Sequence, residues 1–470
     1  MRIFLDKHIW VFVVDSSHGE RYEREAGHFM VDPICHLKDG CEGCRVEIYQ
    51  FKQEGKTIKY VAGKRMFKSQ YPNFQNEIYN VAKYSDHTNI ARYDSHSEPS
   101  KSDFVTLYTE LCDFSLEEFI GETLKTEESC LMPDSKDILK QAVEAIKYLH
   151  GHGVLHMDIK PSNFLFKKHK ESATKSTYVL KLIDFGLSKV LDADRSRLVS
   201  HDAFGTKSYM APEQYGKKVE LTKATDMFSL GLLFYYVLTN GEHPFGDDET
   251  DIAYKIKHYT EHPALEALDF EDNKEYEVLA RDLVLRMIQK SPQDRPTIEE
   301  VEIHPFFWNA YTKQTFYKVA NDIVQKRKGD NKFANSLNQG MGSMKLKDLK
   351  LPVEKIMIPA IGKKTLQENK GYSNVQEFIR FLRNMLEHSR PDVSRPPELQ
   401  DQRKALHGCL TDDVEIRLPK LTKPYPRLLH HLYYLLQKEE SFIDAFKKDA
   451  KVNLAKVTSA IREPNVKATV

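Results

Sequence analysis

LHMDIKPSN, residues 155–163, and LIDFG, residues 182–186, decide how this chain is read. The first places Asp158 and Asn163 five residues apart. The second follows a short strand-like stretch, VLKLI, and presents Asp184 two residues before Gly186. Working outward, MAPE closes the next segment at 210–213. Upstream, VAGK ends at Lys64, and Glu77 lies thirteen residues further on, inside a helical stretch. Residues 34–111 are rich in strand patterns, at Arg45–Tyr49, Lys59–Ala62 and Phe104–Tyr108, with one helix predicted near Gln75–Ala82. From 113 to 308 helices dominate. One runs over Asp137–His150, where Ile138, Leu139, Ala142, Ala145, Ile146 and Leu149 recur at spacings of three and four. Another starts at Asp226 and continues through LGLLFYYVL, apolar on every side, as a helix buried within a lobe must be.

The 470 residues exceed what one hydrophobic core organises and predict two or three domains. A 40% hydrophobic and 29% charged composition is globular and excludes wholesale disorder. The net charge is zero but unevenly spread. Residues 311–470 hold 30 Lys+Arg against 18 Asp+Glu, so +12 in the last third faces −12 in the rest, pointing to an anionic partner for the C-terminal part. Cys35, Cys41, Cys44, Cys112, Cys130 and Cys409 are mostly isolated, which fits a reducing compartment. Cys41 and Cys44 form a CxxC with no second pair at zinc-ribbon spacing. The opening run MRIFLDKHIWVFVVDSS is interrupted by Asp6, Lys7 and His8, so it reads as a buried strand rather than a signal peptide. No stretch of 18 apolar residues and no internal repeat is found.

The ordered set Lys64, Glu77, HMDIKPSN, DFG and APE resembles the protein-kinase signature over residues 34–308. The resemblance implies ATP as substrate and Mg²⁺ as cofactor. Lys64 would hold the α- and β-phosphates, oriented by Glu77. Asn163 and Asp184 would ligate Mg²⁺ through hard oxygen donors. Asp158 would accept the substrate hydroxyl's proton, with Lys160 beside the transferred group. Glu110, Leu111 and Cys112 would form the hinge that receives adenine, and Gly40 and Gly43 would approach the phosphates. Two positions depart from the pattern. Lys38 stands where a first glycine is usual, and Met157 replaces the arginine that in many kinases pairs with a phosphate on the activation segment, where Ser196, Ser200, Thr206 and Ser208 supply hydroxyls. A thioether carries no charge to do this.

The chain continues past HPFFW at 304–308. GYSNVQEFIRFLRNMLEHSRPD, residues 371–392, resembles the nuclease module of the inositol-requiring enzyme and ribonuclease L families, through Arg383, Asn384 and His388. YPRLLHHLYYLLQ, residues 425–437, is similar to the last helical element of that module and carries Tyr433. Val375, Phe378, Ile379, Leu382, Met385 and Leu386 form an apolar helical stripe that turns Arg383, Asn384 and Glu387 away from the core, and Pro391 forces a stop before it. The resemblance implies metal-free cleavage of RNA by its own 2′-OH, leaving a 2′,3′-cyclic phosphate. His388 would carry a proton, Arg383 would stabilise charge and Asn384 would position the phosphate. Tyr433 would be the second proton carrier. Tyr372 is the further candidate, but it stands two residues closer to Asn384 than in the stress-sensing pattern, a departure that counts against that role.

The expected fold is α+β: an N-terminal extension (1–33), a bilobal kinase domain (34–308, lobes 34–111 and 112–308), an all-α kinase-extension nuclease domain (311–446) and a tail (447–470). Residues 326–350 read as a linker. The expected partners are ATP and ADP, an RNA, a homodimer or higher oligomer, and a sensor. No luminal domain, membrane span or ankyrin array is seen in this chain, so a fragment, a truncated paralogue and a soluble protein switched by another chain all stay open. The expected location is the cytoplasm, or the cytosolic face of the endoplasmic reticulum for a fragment of a membrane sensor. The competing reading is a kinase or pseudokinase scaffold whose C-terminal part only dimerises or docks.

Overall fold

The computed structural model describes residues 2–4, 10–12, 22–23, 30–39, 44–53, 56–98, 103–121, 132–170, 176–191, 197–200, 205–216, 219–260, 262–263, 265–339, 375–387, 418–419, 422, 425–437, 439 and 442. They fall into two compact units, one of residues 1–264 with 284–298, the other of residues 265–283 with 299–470.

In the first unit the opening apolar run forms a hairpin rather than one strand: β1 (Arg2–Phe4) pairs antiparallel with β2 (Trp10–Phe12). The polar trio Asp6, Lys7 and His8 falls between the two strands. An antiparallel sheet follows, built from β3 (Tyr22–Glu23), β4 (Met30–Asp39), β5 (Arg45–Gln53), β6 (Lys56–Phe67), β7 (Tyr93–Ser97) and β8 (Phe104–Glu110), in the order β3-β4-β5-β6-β8-β7. Helix α1 (Tyr71–Tyr84) interrupts it in sequence. Side chains alternate across β6. Val61 joins Tyr49, Phe51 and Tyr108 in a buried cluster, while Lys64 lies on the opposite face.

Beyond the sheet come β9 (Phe114–Ser115), α2 (Leu116–Ile120) and α3 (Ser135–Gly151). Ser115 and Glu118 close a reciprocal capping box on α2, and Asp134 caps α3 by accepting from the Asp137 amide at 2.8 Å. Then follow β10 (Val154–Leu155), β11 (Phe164–Lys170), β12 (Ser176–Leu182), β13 (Lys189–Val190), β14 (Leu198–Ser200) and β15 (Val219–Leu221). These short pairs, β11 with β12 and β10 with β13, carry the two decisive motifs between them. Helix α4 (Lys223–Leu238) is buried almost throughout, as its unbroken apolar sequence requires. Gly231 makes that packing possible: a Cβ there would lie 2.7 Å from Met287 and 2.8 Å from Ile288. Helix α5 is Glu249–Lys257, and α6 is Lys274–Met287.

Helices α7 (Ile298–Glu302), α8 (Ala310–Lys326), α9 (Asn331–Gln339), α10 (Val375–Glu387) and α11 (Leu428–Leu436) follow. Helix α9 corrects the expectation of a linker over 326–350. Phe333 and Leu337, four residues apart, are both buried, and that single amphipathic pair is easily lost among the surrounding Asn, Lys and Ser. The stripe on α10 packs as its spacing predicts, with Val375, Phe378, Ile379, Leu382 and Leu386 buried, and α8 is its main partner. No helix among the described residues is long and apolar enough to cross a membrane.

Candidate functional site

The site in the first unit is organised around one ammonium. Lys64 on β6 reaches Glu77 Oε1 of α1 and Asp184 Oδ1, each at 2.8 Å. The burial of Lys64 disfavours its charge, but the Asp184 and Glu77 carboxylates outweigh that and hold the amine above its usual pKa. Burial alone would raise the Asp184 carboxyl, yet the Lys64 ammonium, helped by the Gly186 amide, pulls it down to about 2. Glu77 is 2% exposed and shares the same cation. Desolvation dominates there and its carboxyl is raised. One positive charge between two carboxylates leaves the site net negative, which suits a cation.

Asp158 forms the second half. Its Oδ1 accepts from the Thr206 amide at 3.0 Å and the Thr206 hydroxyl at 2.8 Å. Its Oδ2 faces Lys160 Nζ at 2.9 Å and accepts from Asn163 Nδ2 at 2.9 Å. Asn163 Nδ2 also donates to the Asp158 carbonyl at 2.7 Å. With its amide nitrogen directed at Asp158, the Asn163 carbonyl Oδ1 is the oxygen it has to offer a ligand. Lys64 and the Gly186 amide both address Asp184 Oδ1, which leaves Oδ2 in the same role. Two such oxygens are the donor type Mg²⁺ takes, so these residues fit the expected ion.

The backbone around these groups is strained where the chemistry sits. Met157 and Asp184 are non-glycine residues in the left-handed region, at φ 71° and 63°. Asp226 at the start of α4 holds the first of them. Its carboxylate, 1% exposed, accepts the amides of His156 and Met157 and faces His150 Nε2, all at 2.9 Å. His156 in turn accepts the Asp158 amide at Nδ1, at 3.3 Å, and donates from Nε2 to the Ile183 carbonyl at 3.0 Å. The loop carrying Asp158 and the loop carrying Asp184 are thereby tied to one imidazole. Sequence reasoning missed Asp226 as a functional group, although an acid opening an otherwise apolar helix is a signal that it must be paired. It missed Arg295 too. That buried guanidinium makes a two-pronged bond to Glu213 of the MAPE stretch at 2.7 and 2.8 Å.

At the expected hinge, the Glu110 carboxylate accepts the Arg92 amide at 2.8 Å and pairs with Lys181 at 3.0 Å. Lys167 donates to the Leu111 carbonyl. Burial, aided by Glu110, pushes the Cys112 thiol up to about 12, which keeps it protonated at neutral pH. Gly40 and Gly43 lie outside the described residues.

A profile of the family described as "Protein kinase domain" matches residues 40–307. The chain belongs to the protein kinase family. The expected α+β fold, with a sheet-rich first lobe and a helical second lobe, is what this kinase shows. Its relatives extend the likeness beyond the kinase domain. Serine/threonine-protein kinase/endoribonuclease IRE2 of Homo sapiens is 30% identical over 436 residues, 90% of this chain and 43% of the human protein. Serine/threonine-protein kinase/endoribonuclease IRE1a of Arabidopsis thaliana is 28% identical over 447 residues, covering 83% and 48%. The "Sensor for unfolded proteins in the ER ire1" of Schizosaccharomyces pombe is 29% identical over 405 residues, covering 80% and 35%. These names meet the resemblance to the inositol-requiring enzyme family. The chain spans about half, or less, of each relative's length.

In the second unit, α10 carries Arg383, half-buried, and the backbone of Asn384. The Asn384 side chain, His388 and Tyr372 lie outside the described residues. Tyr433 on α11 is 6% exposed, its ring against Trp308 at 5.6 Å and His304 at 6.1 Å. Beside it, Tyr434 donates to Asp282 Oδ2 at 2.7 Å, where His304 Nε2 also arrives at 3.1 Å. His304 accepts the Phe306 amide at Nδ1, so its Nε2 bears hydrogen and is a donor rather than a metal ligand. No group of three or more His, Cys, Asp or Glu among the described residues could hold a metal ion.

Proposed function

We propose that this chain is an ATP-dependent serine/threonine kinase that phosphorylates itself, joined to a metal-independent endoribonuclease that cuts single-stranded RNA loops when copies assemble. The kinase half rests on the lysine bridge from Lys64 to Glu77 and Asp184, set beside Asp158, Lys160 and Asn163. Lys64 binds and aligns the phosphates of ATP. Asp158, with both oxygens fixed by hydrogen bonds, takes the proton of the attacking hydroxyl. Lys160 meets the charge on the moving phosphoryl group. Bound Mg²⁺, held by Asn163 and Asp184, would neutralise phosphate charge.

The nuclease half is supported by a match that spans nine-tenths of this chain to a relative named kinase/endoribonuclease, and by a C-terminal third carrying a charge of +12. A guanidinium that never loses its charge suits a phosphorane, and an imidazole that titrates near neutral pH suits proton transfer. Single-stranded loops are the substrate whose bases can be splayed out. Such a protein acts in the cytosol, or at the cytosolic face of the endoplasmic reticulum as part of a membrane sensor, in unfolded-protein or ribonuclease L-type signalling.

The competing reading makes the C-terminal module a docking platform. One observation favours it: Tyr433 is packed as a core side chain. A stem-loop RNA assay in EDTA decides, with mass spectrometry of the cut ends. The expected products carry 2′,3′-cyclic phosphates, and the rate climbs with protein concentration. Arg383→Ala and His388→Ala each lower cutting by about 100-fold or more and leave ATP transfer intact, whereas Asp158→Ala abolishes transfer. Unchanged cutting in both nuclease variants would discard the assignment.

A further inference from the structure

Glu77 is joined on α1 by a second buried polar side chain. Asn80 stands three residues further on, 3% exposed, and residues so spaced are neighbours on a helix surface. Its Nδ2 donates to the Ser188 hydroxyl at 3.0 Å. Ser188 is buried and lies four residues after Asp184. Its hydroxyl donates in turn to the Phe185 carbonyl at 2.5 Å, and its amide reaches the same carbonyl at 3.1 Å. Ser188 is therefore locked into the turn that follows Asp184, and β13 comes directly after it, paired to β10. Asn80 Oδ1 is buried and accepts from no described residue. A buried amide with one end unmatched weakens a fold, so packing does not explain an asparagine here.

Two polar links join α1 to the Asp184 segment, and they differ in what ATP does to them. The first runs from Glu77 through Lys64 to Asp184. It uses the groups that a loaded site takes for itself, Lys64 for the phosphates and Asp184 for Mg²⁺. The second, Asn80 to Ser188, uses no group with a ligand to bind. We infer that Asn80 is a positioning residue for phosphotransfer: through Ser188 it keeps α1, and with it Glu77, in register with Asp184 once the lysine bridge has been given over to ATP. The inference rests on the kinase reading above. Val81 and Tyr84 are buried on the same helix and hold α1 in the fold without Asn80, which separates this role from folding. Nucleotide binding draws on groups along the whole cleft, whereas transfer needs alignment at the end phosphate, so kcat is the constant that moves.

The test uses the full chain with Asn80→Leu, which removes the donor at similar bulk, and Asn80→Ala, which cannot overpack. Transfer from radiolabelled ATP is measured against ATP concentration with Mg²⁺ present, beside thermal unfolding. Each variant is expected to lower kcat about tenfold, the scale of a sub-ångström misplacement of reacting groups. KM for ATP changes by less than about threefold. The Asn80→Leu midpoint stays at or above wild type, because an unmatched amide is gone and Ser188 keeps its bond to Phe185. With a non-hydrolysable ATP analogue and Mg²⁺ bound, hydrogen exchange across 77–84 rises in both variants. In a chain already carrying Ser188→Ala, adding Asn80→Leu lowers kcat no further. Wild-type kcat or wild-type exchange in both variants overturns the inference while leaving the kinase reading standing. A further loss of kcat on top of Ser188→Ala also overturns it, as does a loss that comes only with a collapsed midpoint. A wild-type chain that transfers no more phosphate than Asp158→Ala overturns the kinase reading and this inference together.

Discussion

Replacing Asp226 with alanine tests whether a single buried carboxylate holds the catalytic loop. Two backbone amides and one imidazole nitrogen converge on it at 2.9 Å each, in a place closed to water. Removing the acceptor leaves those groups buried without a partner. Each orphaned donor costs roughly 1–3 kcal/mol, and truncating one member of a buried charged set costs about 3–5 kcal/mol. The three bonds share one acceptor and do not add, so about 4 kcal/mol is the expected loss. At about 2–4 °C per kcal/mol for a domain of this size, the thermal midpoint falls by about 8–16 °C. Activity falls further than stability. Met157 holds a left-handed conformation that costs ~1–3 kcal/mol, and its amide bond to Asp226 is what opposes relaxation. Once relaxed, the loop carries Asp158 out of line, and phosphotransfer drops by about 100-fold.

The acid limb of the stability curve gives a second readout. Burial would raise the Asp226 carboxyl, but His150, the Met157 amide and His156 together bring it below its usual value. Its stabilisation is therefore present above the ordinary carboxylate range near pH 4 and is lost as pH falls through the lower folded value. Asp226→Ala lacks that loss. Thermal unfolding across pH, paired with radiolabelled ATP transfer, measures both. A midpoint within about 2 °C of wild type and undiminished transfer would refute the reasoning.

Two further substitutions probe neighbouring features. Burial brings the His243 imidazole down to about 4, with Nε2 donating to the Ser208 carbonyl at 3.0 Å. The unfolded chain binds a proton on this residue where the folded one does not, so stability is full above about pH 6.5 and declines toward pH 4, by on the order of 2–3 kcal/mol. His243→Gln should flatten that slope in denaturant titrations at several pH values, and parallel slopes would count against it. At Gly63, next to Lys64, a Cβ would sit 2.3 Å from the Tyr49 ring, which is pinned edge-on to Tyr108 with centroids 5.1 Å apart. Gly63→Ala should cost about 1–3 kcal/mol through overpacking and lower the thermal midpoint by about 5 °C; an unchanged midpoint would show that Tyr49 can move.

The residues that the fold brings together around Lys64 and Asp158 were legible because they recur at fixed spacing: an oxygen-rich pair in HMDIKPSN, a second acid in DFG, and a lysine with its distant glutamate. The groups that hold this set were not. Asp226, His150 and Arg295 act across 69 to 82 residues of sequence, and nothing local distinguishes Asp226 from a helix-opening acid or Arg295 from a surface arginine in SPQDRP. Their function appears only once folding removes them from water. Helix α9 escaped for the opposite reason. Its one apolar pair is too short a pattern to stand out, although two buried residues suffice once neighbouring helices complete the core. The stripe on α10 was readable because it repeats over three turns.

Met157 shows how one unusual residue alters what the site requires. An arginine there would stand ready to pair with a phosphate on the activation segment. The methionine instead is 4% exposed and packs with Leu155, Leu191 and Leu221, with Leu187 and Leu198 against the same cluster. Leu198 and Leu221 belong to β14 and β15, the paired strands that flank the segment. The contact that a charge pair would make after phosphorylation is replaced by an apolar one that exists without it. The hydroxyls point the same way. Thr206 is already committed to Asp158 and Lys160, and Ser208 is 5% exposed with its carbonyl bound to His243. The segment's far end is held by Ser229 on the Tyr209 carbonyl at 2.6 Å and by Arg295 on Glu213. Asp158, Lys160, Ser229, His243 and Arg295 thus hold described parts of this segment without a phosphate. The contact at position 157 therefore needs no phosphate on this segment to form.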